Sequence, residues 1–326
     1  MNKVDDGVFQ FTVPMPMALR EVHVYALETD DGWVLIDSGF PSEEALAQLT
    51  AEIDRHLGGI ARIRTIIITH FHPDHSGLAG WIQERSGCEV VIHRSDGSPL
   101  EQMADGIESG HGFASMAHRA GVSFDEMRAL FRGVDVPIAR PSLVEGGETI
   151  EVGGRAVQLV WTPGHTAGHL CVLDSRAGVL FTGDHLLARI TPHVGRFHSE
   201  GRNPLHEFED SLALVERMAP RRALPAHETS IENPAGRCRE LLQHHRDRRE
   251  QVLAEIGTWS RTADEVAEKI FRGREGGMHR MLALSETEAH LEALVAEGIL
   301  EHLEDPSGVA YTLRGRGLEH PQSEVS

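Results

Sequence analysis

The segment "RTIIITHFHPDHSG", residues 64–77, constrains this chain more than any other. Three consecutive isoleucines are apolar and β-branched, so they suit a short strand buried within a sheet. The chain leaves that strand with His70, His72, Asp74 and His75 inside six positions. In extended backbone alternate side chains point the same way, so His70, His72 and Asp74 can share one side. His75, beyond the turn made by Pro73, approaches from another angle. Imidazole and carboxylate donors without thiolates suit Zn, Fe or Mn. Sites of this kind are usually built at strand ends of α/β sheets.

The flanking sequence supplies that sheet. "HVYALETDDGWVLIDSG" reads as strand, Asp-Asp-Gly turn, strand, which is a hairpin signal. "PSEEALAQLTAEIDRHLGG" reads as a helix, with Pro41 and Ser42 at its start, glutamates in the first turn and a glycine pair at its end. "GLAGWIQERSG" is a second helix and "CEVVIH" a further strand. A βαβαβ rhythm lays helices on a sheet, so the fold class is α/β. From Ser95 the rhythm breaks. Residues 95–146 read as a helical insertion, either a lid over the site or plain surface packing. Phe113, Met116, Met127 and Phe131 are its candidate pocket residues, because methionine suits adaptable apolar surfaces.

Strands then resume with "ETIEVGG", "AVQLVWT", "LCVLDS" and "GVLFTGD". Three further candidate ligands stand at strand ends in Gly- or Pro-containing loops: His165 in "TPGHTAGH", Asp184 in "FTGDH" and His227 in "PAHE". A long helix starts after Asn233, which can cap it, with Pro234 at its first position. The domain boundary is expected near Gly257, with a catalytic domain over 1–256. "TADEVAEKIF", "SETEAHLEALVAEG" and "ILEHLEDPSGVAYTL" give helix, helix and hairpin, the arrangement of a winged-helix domain over 257–318. Residues 319–326 read as a tail.

"HFHPDH", "TPGHTAGH", "FTGDH" and "PAHE", in this order, resemble the metallo-β-lactamase-fold hydrolases. The resemblance implies an αββα sandwich, two sheets back to back with helices outside. It implies that His70, His72 and His165 hold one metal, that Asp74, His75 and His227 hold a second, and that Asp184 bridges them. Asp37 in "WVLIDSG" resembles a position that orients a ligand histidine; its plainer reading is a strand-end turn residue. His185 is a pocket wall or a surface histidine, and His169 orients its loop. The family often has glycine before the last ligand histidine, where this chain has Ala226; a positive φ there would strain alanine. The C-terminal segments resemble the branch of the superfamily with a winged-helix tail, which includes RNA-cutting and thioester-cleaving members.

Composition narrows the chemistry. The formal charge is −19, and an acidic surface repels phosphate backbones. From Ile256 to Gly317 seven Lys/Arg stand against eleven Asp/Glu, so the winged-helix part is expected to serve architecture or dimerisation, as in a homodimer, rather than to read nucleic acid. The basic run Arg237, Arg239, Arg246, Arg248 and Arg249 reads as a solvated helix face. Cys88, Cys171 and Cys238 show no CxxC, which argues against a disulfide framework and for a reducing, cytoplasmic compartment. No run approaches about 18 apolar residues, so no membrane span is expected. The leading expectation is a hydrolase of a small ester, thioester or lactone acting through a metal-bound hydroxide, with Asp74 orienting it and relaying its proton. Two divalent ions, zinc first, with iron or manganese open, are its cofactors. A metal-dependent ribonuclease is the first alternative, and a non-catalytic sensor with winged-helix output is another.

Overall fold

The computed structural model describes residues 1–17, 19–98, 118–121, 134, 136–196, 201–272, 276–305 and 308–315. The first sheet has seven strands in sequence order: β1 (Asn2–Asp5), β2 (Val8–Pro14), β3 (Glu21–Thr29), β4 (Gly32–Ile36), β5 (Ile63–Ile67), β6 (Glu89–His93) and β7 (Ser142–Val144). β1 to β4 pair antiparallel, and β4 to β7 pair parallel. The second sheet has the order β12 (Arg222–Pro225), β11 (Val179–Gly183), β10 (Leu170–Asp174), β9 (Arg155–Trp161) and β8 (Thr149–Val152). Only its β11–β12 pair is parallel.

The two sheets lie face to face. Leu27, Ile36, Ile67 and Val91 of the first meet Leu159, Val172, Val179 and Phe181 of the second in one buried cluster. The first sheet's other face carries α1 (Glu43–His56) and α3 (Ala79–Ser86), through Leu49, Ile53 and Ile82. Ser42 Oγ accepts from Ala45 N at 3.1 Å and caps α1. The second sheet's outer face carries α4 (Pro204–Met218) and α5 (Pro234–Ile256), through Phe208, Leu212 and Leu241. Each such side chain, fully buried, contributes roughly 1.5–3 kcal/mol. A short α2 (Pro73–Ser76) leaves the first sheet after β5.

The C-terminal part builds a small sheet, in the order β13 (Arg261–Thr262), β15 (Gly308–Leu313), β14 (Leu300–Asp305), with α6 (Ala263–Ile270) and α7 (Gly277–Ala296). It is joined to the sandwich by shared helices. Val252 and Ile256 of α5 lie in its core with Leu284, Leu291 and Leu294 of α7, while Ala289 and Ala293 of α7 pack against the second sheet's helices.

Two sequence expectations change, and one strand pair is added. The helical insertion expected over 95–146 cannot reach 146, because Ser142–Val144 form β7 and pair parallel to β6. The second helix of the C-terminal part starts at Gly277, eight residues before Ser285, since Met281 and Leu284 bury as well as Leu291 and Leu294. The first sheet also gains an N-terminal hairpin, β1–β2, whose strand β2 buries Val8, Phe11 and Val13.

Candidate metal centre

The candidate ligands follow strands that end at one edge of the sandwich. His70 stands three residues beyond β5, and α2 carries Asp74 and His75. His165 follows β9, Asp184 follows β11 directly, and His227 follows β12. Gly183 makes the last turn of β11 feasible. Its φ is +45°, and an added Cβ would sit 2.8 Å from His169 Nε2 and 2.8 Å from Thr69 Oγ1.

Two clusters face one another. In the first, His70 Nε2 lies 2.9 Å from His72 Nδ1 and 3.2 Å from His165 Nε2, and His165 Nε2 lies 3.1 Å from His72 Nδ1. In the second, His227 Nε2 lies 3.3 Å from Asp74 Oδ2, and His75 Nε2 lies 3.6 Å from the same oxygen. Asp184 stands between them. Its Oδ1 is 3.4 Å from His227 Nε2 and 3.6 Å from His75 Nε2, and its Oδ2 is 3.7 Å from His165 Nε2.

Tautomers follow from the outer partners. His165 Nδ1 donates to His193 O at 2.7 Å, and His227 Nδ1 donates to Glu21 O at 2.8 Å. A carbonyl can only accept, so both rings carry a proton on Nδ1 and turn Nε2 to the centre. Burial keeps His165 neutral with its Nε2 lone pair bare, whereas for His227 burial is outweighed by Asp184 and Asp74, which raise it. Thr69 Oγ1 donates to Asp37 Oδ2 at 2.9 Å and therefore accepts from His70 Nδ1 at 3.1 Å. Asp37 Oδ2 also accepts from His75 Nδ1 at 2.7 Å, and its Oδ1 accepts from Thr69 N at 2.7 Å. Asp37 itself has φ +62°, a left-handed conformation that aspartate tolerates and that turns its carboxylate into the strand end.

The inner atoms then fit a cation. Two lone pairs facing each other at 3.2 Å, from His70 and His165, cannot satisfy one another. His75 Nε2, His227 Nε2 and Asp184 Oδ1 are buried without a hydrogen-bond partner, a costly state for polar atoms. Burial holds His70, His72 and His165 below the ordinary imidazole value, so they stay neutral donors. Burial would also lower His75, but Asp74, Asp37 and Asp184 outweigh it and push it well up. Burial raises Asp74, and His75 and His227 reverse that and hold its carboxyl down to about 2. The second cluster thus asks for positive charge and the first for a Lewis acid. His70, His72 and His165, and likewise Asp74, His75 and His227, could each hold one metal ion.

Two supporting residues lie behind the ligands. His169 Nε2 accepts from Asp184 N at 3.2 Å while its Nδ1 meets Thr162 Oγ1 at 2.9 Å. Asp96, which no sequence motif marks, is fully buried and joins two ligand loops. Its Oδ2 accepts from Phe71 N at 3.1 Å and Thr166 Oγ1 at 2.7 Å, and its Oδ1 accepts from Gly168 N at 2.6 Å. Burial pushes its carboxyl up to about 6 against those hydrogen bonds. Its only sequence signal is a lone carboxylate three residues past β6, weak beside four clustered donors. His185 is fully buried against Phe208, ring centroids 5.1 Å apart, and belongs to neither cluster. Ala226 is not among the residues with positive φ; the left-handed residue in that loop is Glu228, at +68°. Phe113, Met116, Met127 and Phe131 lie outside the described residues.

Residues 18–242 match the model of the Metallo-beta-lactamase superfamily. The chain belongs to this superfamily. Its fold is similar to that of the metallo-beta-lactamase family protein TTHA1429 from Thermus thermophilus, with a TM-score of 0.81 and 30% identity over 95% of this chain and 99% of that one. The probable metallo-hydrolase YqjP of Bacillus subtilis is 26% identical, over 90% of this chain and 93% of its own. The atrochrysone carboxyl ACP thioesterase of Aspergillus fumigatus is 27% identical, over 74% of this chain and 61% of its own. Superfamily membership and the paired His/Asp clusters make the chain a metal-dependent hydrolase.

Proposed function

We propose that this hydrolase cleaves a small acyl compound, an ester, thioester or lactone, at a centre of two divalent ions. His70, His72 and His165 hold one, Asp74, His75 and His227 the other, and Asp184 serves both. The observation that carries this reading is the Asp184 carboxylate, with one oxygen turned to His75 and His227 and the other to His165. Nitrogen and oxygen donors without thiolate favour zinc, with iron or manganese compatible. Ions so held would polarise an acyl carbonyl and lower the pKa of a water beside them.

The chain's own residues do the rest. Asp74, an acceptor at neutral pH, orients the attacking water and takes its proton. That proton passes to the departing alkoxide or thiolate as the acyl bond breaks. Asp37 and Thr69 fix His70 and His75, and His169 fixes the Asp184 backbone. A small substrate is supported by two observations. One relative is a thioesterase by name. The basic run on α5 offers little to phosphate, because Arg249 pairs with Glu209 and Glu297, and Arg248 lies 3.9 Å from Glu286. We read the C-terminal part as a winged-helix module of architectural role. Metal analysis together with a panel of thioesters, lactones, simple esters and single-stranded RNA tests the proposal. Turnover of an acyl substrate, lost on chelation and restored by Zn or Mn, is expected. Protein with only trace metal, or one that cuts RNA and leaves every acyl compound intact, would refute it.

A further inference from the structure

Residues 186–196 form a strap that leaves the Asp184 turn and ends against α7. It offers a backbone carbonyl to the first cluster: His193 O accepts from His165 Nδ1 at 2.7 Å. That bond keeps the proton on Nδ1 and aims Nε2 at His70 and His72. The strap is held near both ends. At its start, Arg237 of α5 donates to Leu187 O at 2.8 Å, Arg189 O at 3.0 Å and Ile190 O at 2.9 Å. At its end, Arg196 N donates to Ser285 Oγ at 2.8 Å, and Arg196 Nη1 lies 3.3 Å from Glu292 Oε2. Both partners belong to α7. Ser285 is fully buried. The fit is tight, since a Cβ added at Gly195 would meet Ser285 Oγ at 2.2 Å and His193 Nε2 at 2.4 Å. Glu292 Oε1 meanwhile accepts from Tyr311 Oη at 2.8 Å and lies 3.0 Å from His302 Nε2, so the same carboxylate ties β14 and β15 to the strap.

We infer that Ser285 and Glu292 are positioning residues for His165, and that the C-terminal module completes one of the two proposed metal sites through α7 and the strap. The inference rests on the reading of His165 as a ligand. It carries an asymmetry. His227 is aimed by Glu21 O on the β2–β3 side, and His75 by Asp37 after β4; neither aiming bond involves α7. Disturbing α7 at the strap therefore loosens the ion of His70, His72 and His165 and spares the other.

The test uses full-length wild type, Ser285→Ala and Gly195→Ala, loaded with Co(II) and titrated with a chelator. Stoichiometry and visible absorption follow each ion separately. Loss of an outer partner of a ligand typically weakens metal binding about 10–100-fold. Both variants should bind one ion as wild type does and the other at least about 10-fold more weakly, with that ion's absorption bands altered. Leu300→Ala, in the module's core but away from the strap, should lower thermal stability and leave both affinities in place. An unchanged titration in Ser285→Ala overturns the inference, whatever Gly195→Ala does, because the Cβ of the latter also presses on His193. So does equal loosening in Leu300→Ala, which would make the effect general softening. Wild type that takes up no Co(II) overturns the ligand assignment itself, and the inference with it. Wild type that binds two ions beside variants that match it overturns the inference alone.

Discussion

Among single residues, the fold separates groups that sequence places side by side. Asp74 and His75 are neighbours, as are Asp184 and His185, yet Asp184 faces both clusters while His185 packs on Phe208. Asp74→Ala removes a proposed ligand and the proton acceptor together, so kcat/KM should fall more than about a hundredfold. His185→Ala should cost less in kcat/KM and show itself mainly as a lower Tm, because it leaves a hole beside Phe208. Equal losses in the two variants would contradict these roles. Asp96 gives a sharper case. Its two oxygens accept from three donors on two ligand loops, and an amide cannot serve all three without turning its NH2 towards a donor. Asp96→Asn should therefore loosen bound metal by about 10-fold or more, measured by chelator competition. Retention of wild-type affinity would show that the two loops hold their geometry without it.

Among the elements, one buried side chain of the second sheet reaches across to the first. Arg155, at the start of β9, pairs with Asp174 at the end of β10 and donates to Gly7 O at 2.9 Å and Glu28 O at 3.0 Å. Both side chains are almost fully buried. Removing one partner leaves a buried charge unpaired, which typically costs about 3–5 kcal/mol. Arg155→Ala should lose stability of that order in urea unfolding, with KM unchanged in the folded fraction; a loss below about 1 kcal/mol would show that water reaches the site. Elements of this sandwich differ in how legible they are. β5 announces itself by three isoleucines, and α5 by Asn233 and Pro234 at its start. β7 has three residues at a sheet edge, with Leu143 exposed, so no apolar period marks it. The four motif segments carry the proposed ligands because donor type and order are sequence properties. The partners that hold His227 and His165 are backbone carbonyls of Glu21 and His193, and a carbonyl leaves no trace in residue identity, whereas Asp37, which holds His75, is a side chain the sequence displays. Asp96 and Ser285 act across 25 or more positions, a pairing that only the folded chain displays.

At the scale of the whole molecule, the sandwich and the C-terminal module meet through α5 and α7, and that seam holds an unusual pair. His245 of α5 and His290 of α7 are buried, with His245 Nδ1 3.4 Å from His290 Nε2. His290 Nδ1 donates to Glu286 O at 2.8 Å. Burial lowers both, to about 2 for His245, where His290 adds to it, and to about 4 for His290, where the Glu286 carbonyl opposes it; Arg248, Arg249 and His244 push both further down. In the unfolded chain both would titrate near about 6.5. Above that value neither state binds the protons, and the seam is at full strength. As pH falls below it, the unfolded chain takes up protons that the folded seam refuses, so stability drops steadily towards about pH 4. Urea unfolding should therefore give a markedly lower midpoint at about pH 5 than at about pH 7.5. The slope should shrink in His245→Leu, which removes one of the two titrating groups and keeps the site apolar. Because α7 also carries Ser285 and Glu292, acid should loosen the strap before it opens the sheets, and hydrogen exchange at residues 277–296 should rise ahead of exchange at β5 and β11. Uniform acceleration over all these segments would show instead that the two parts unfold as one unit.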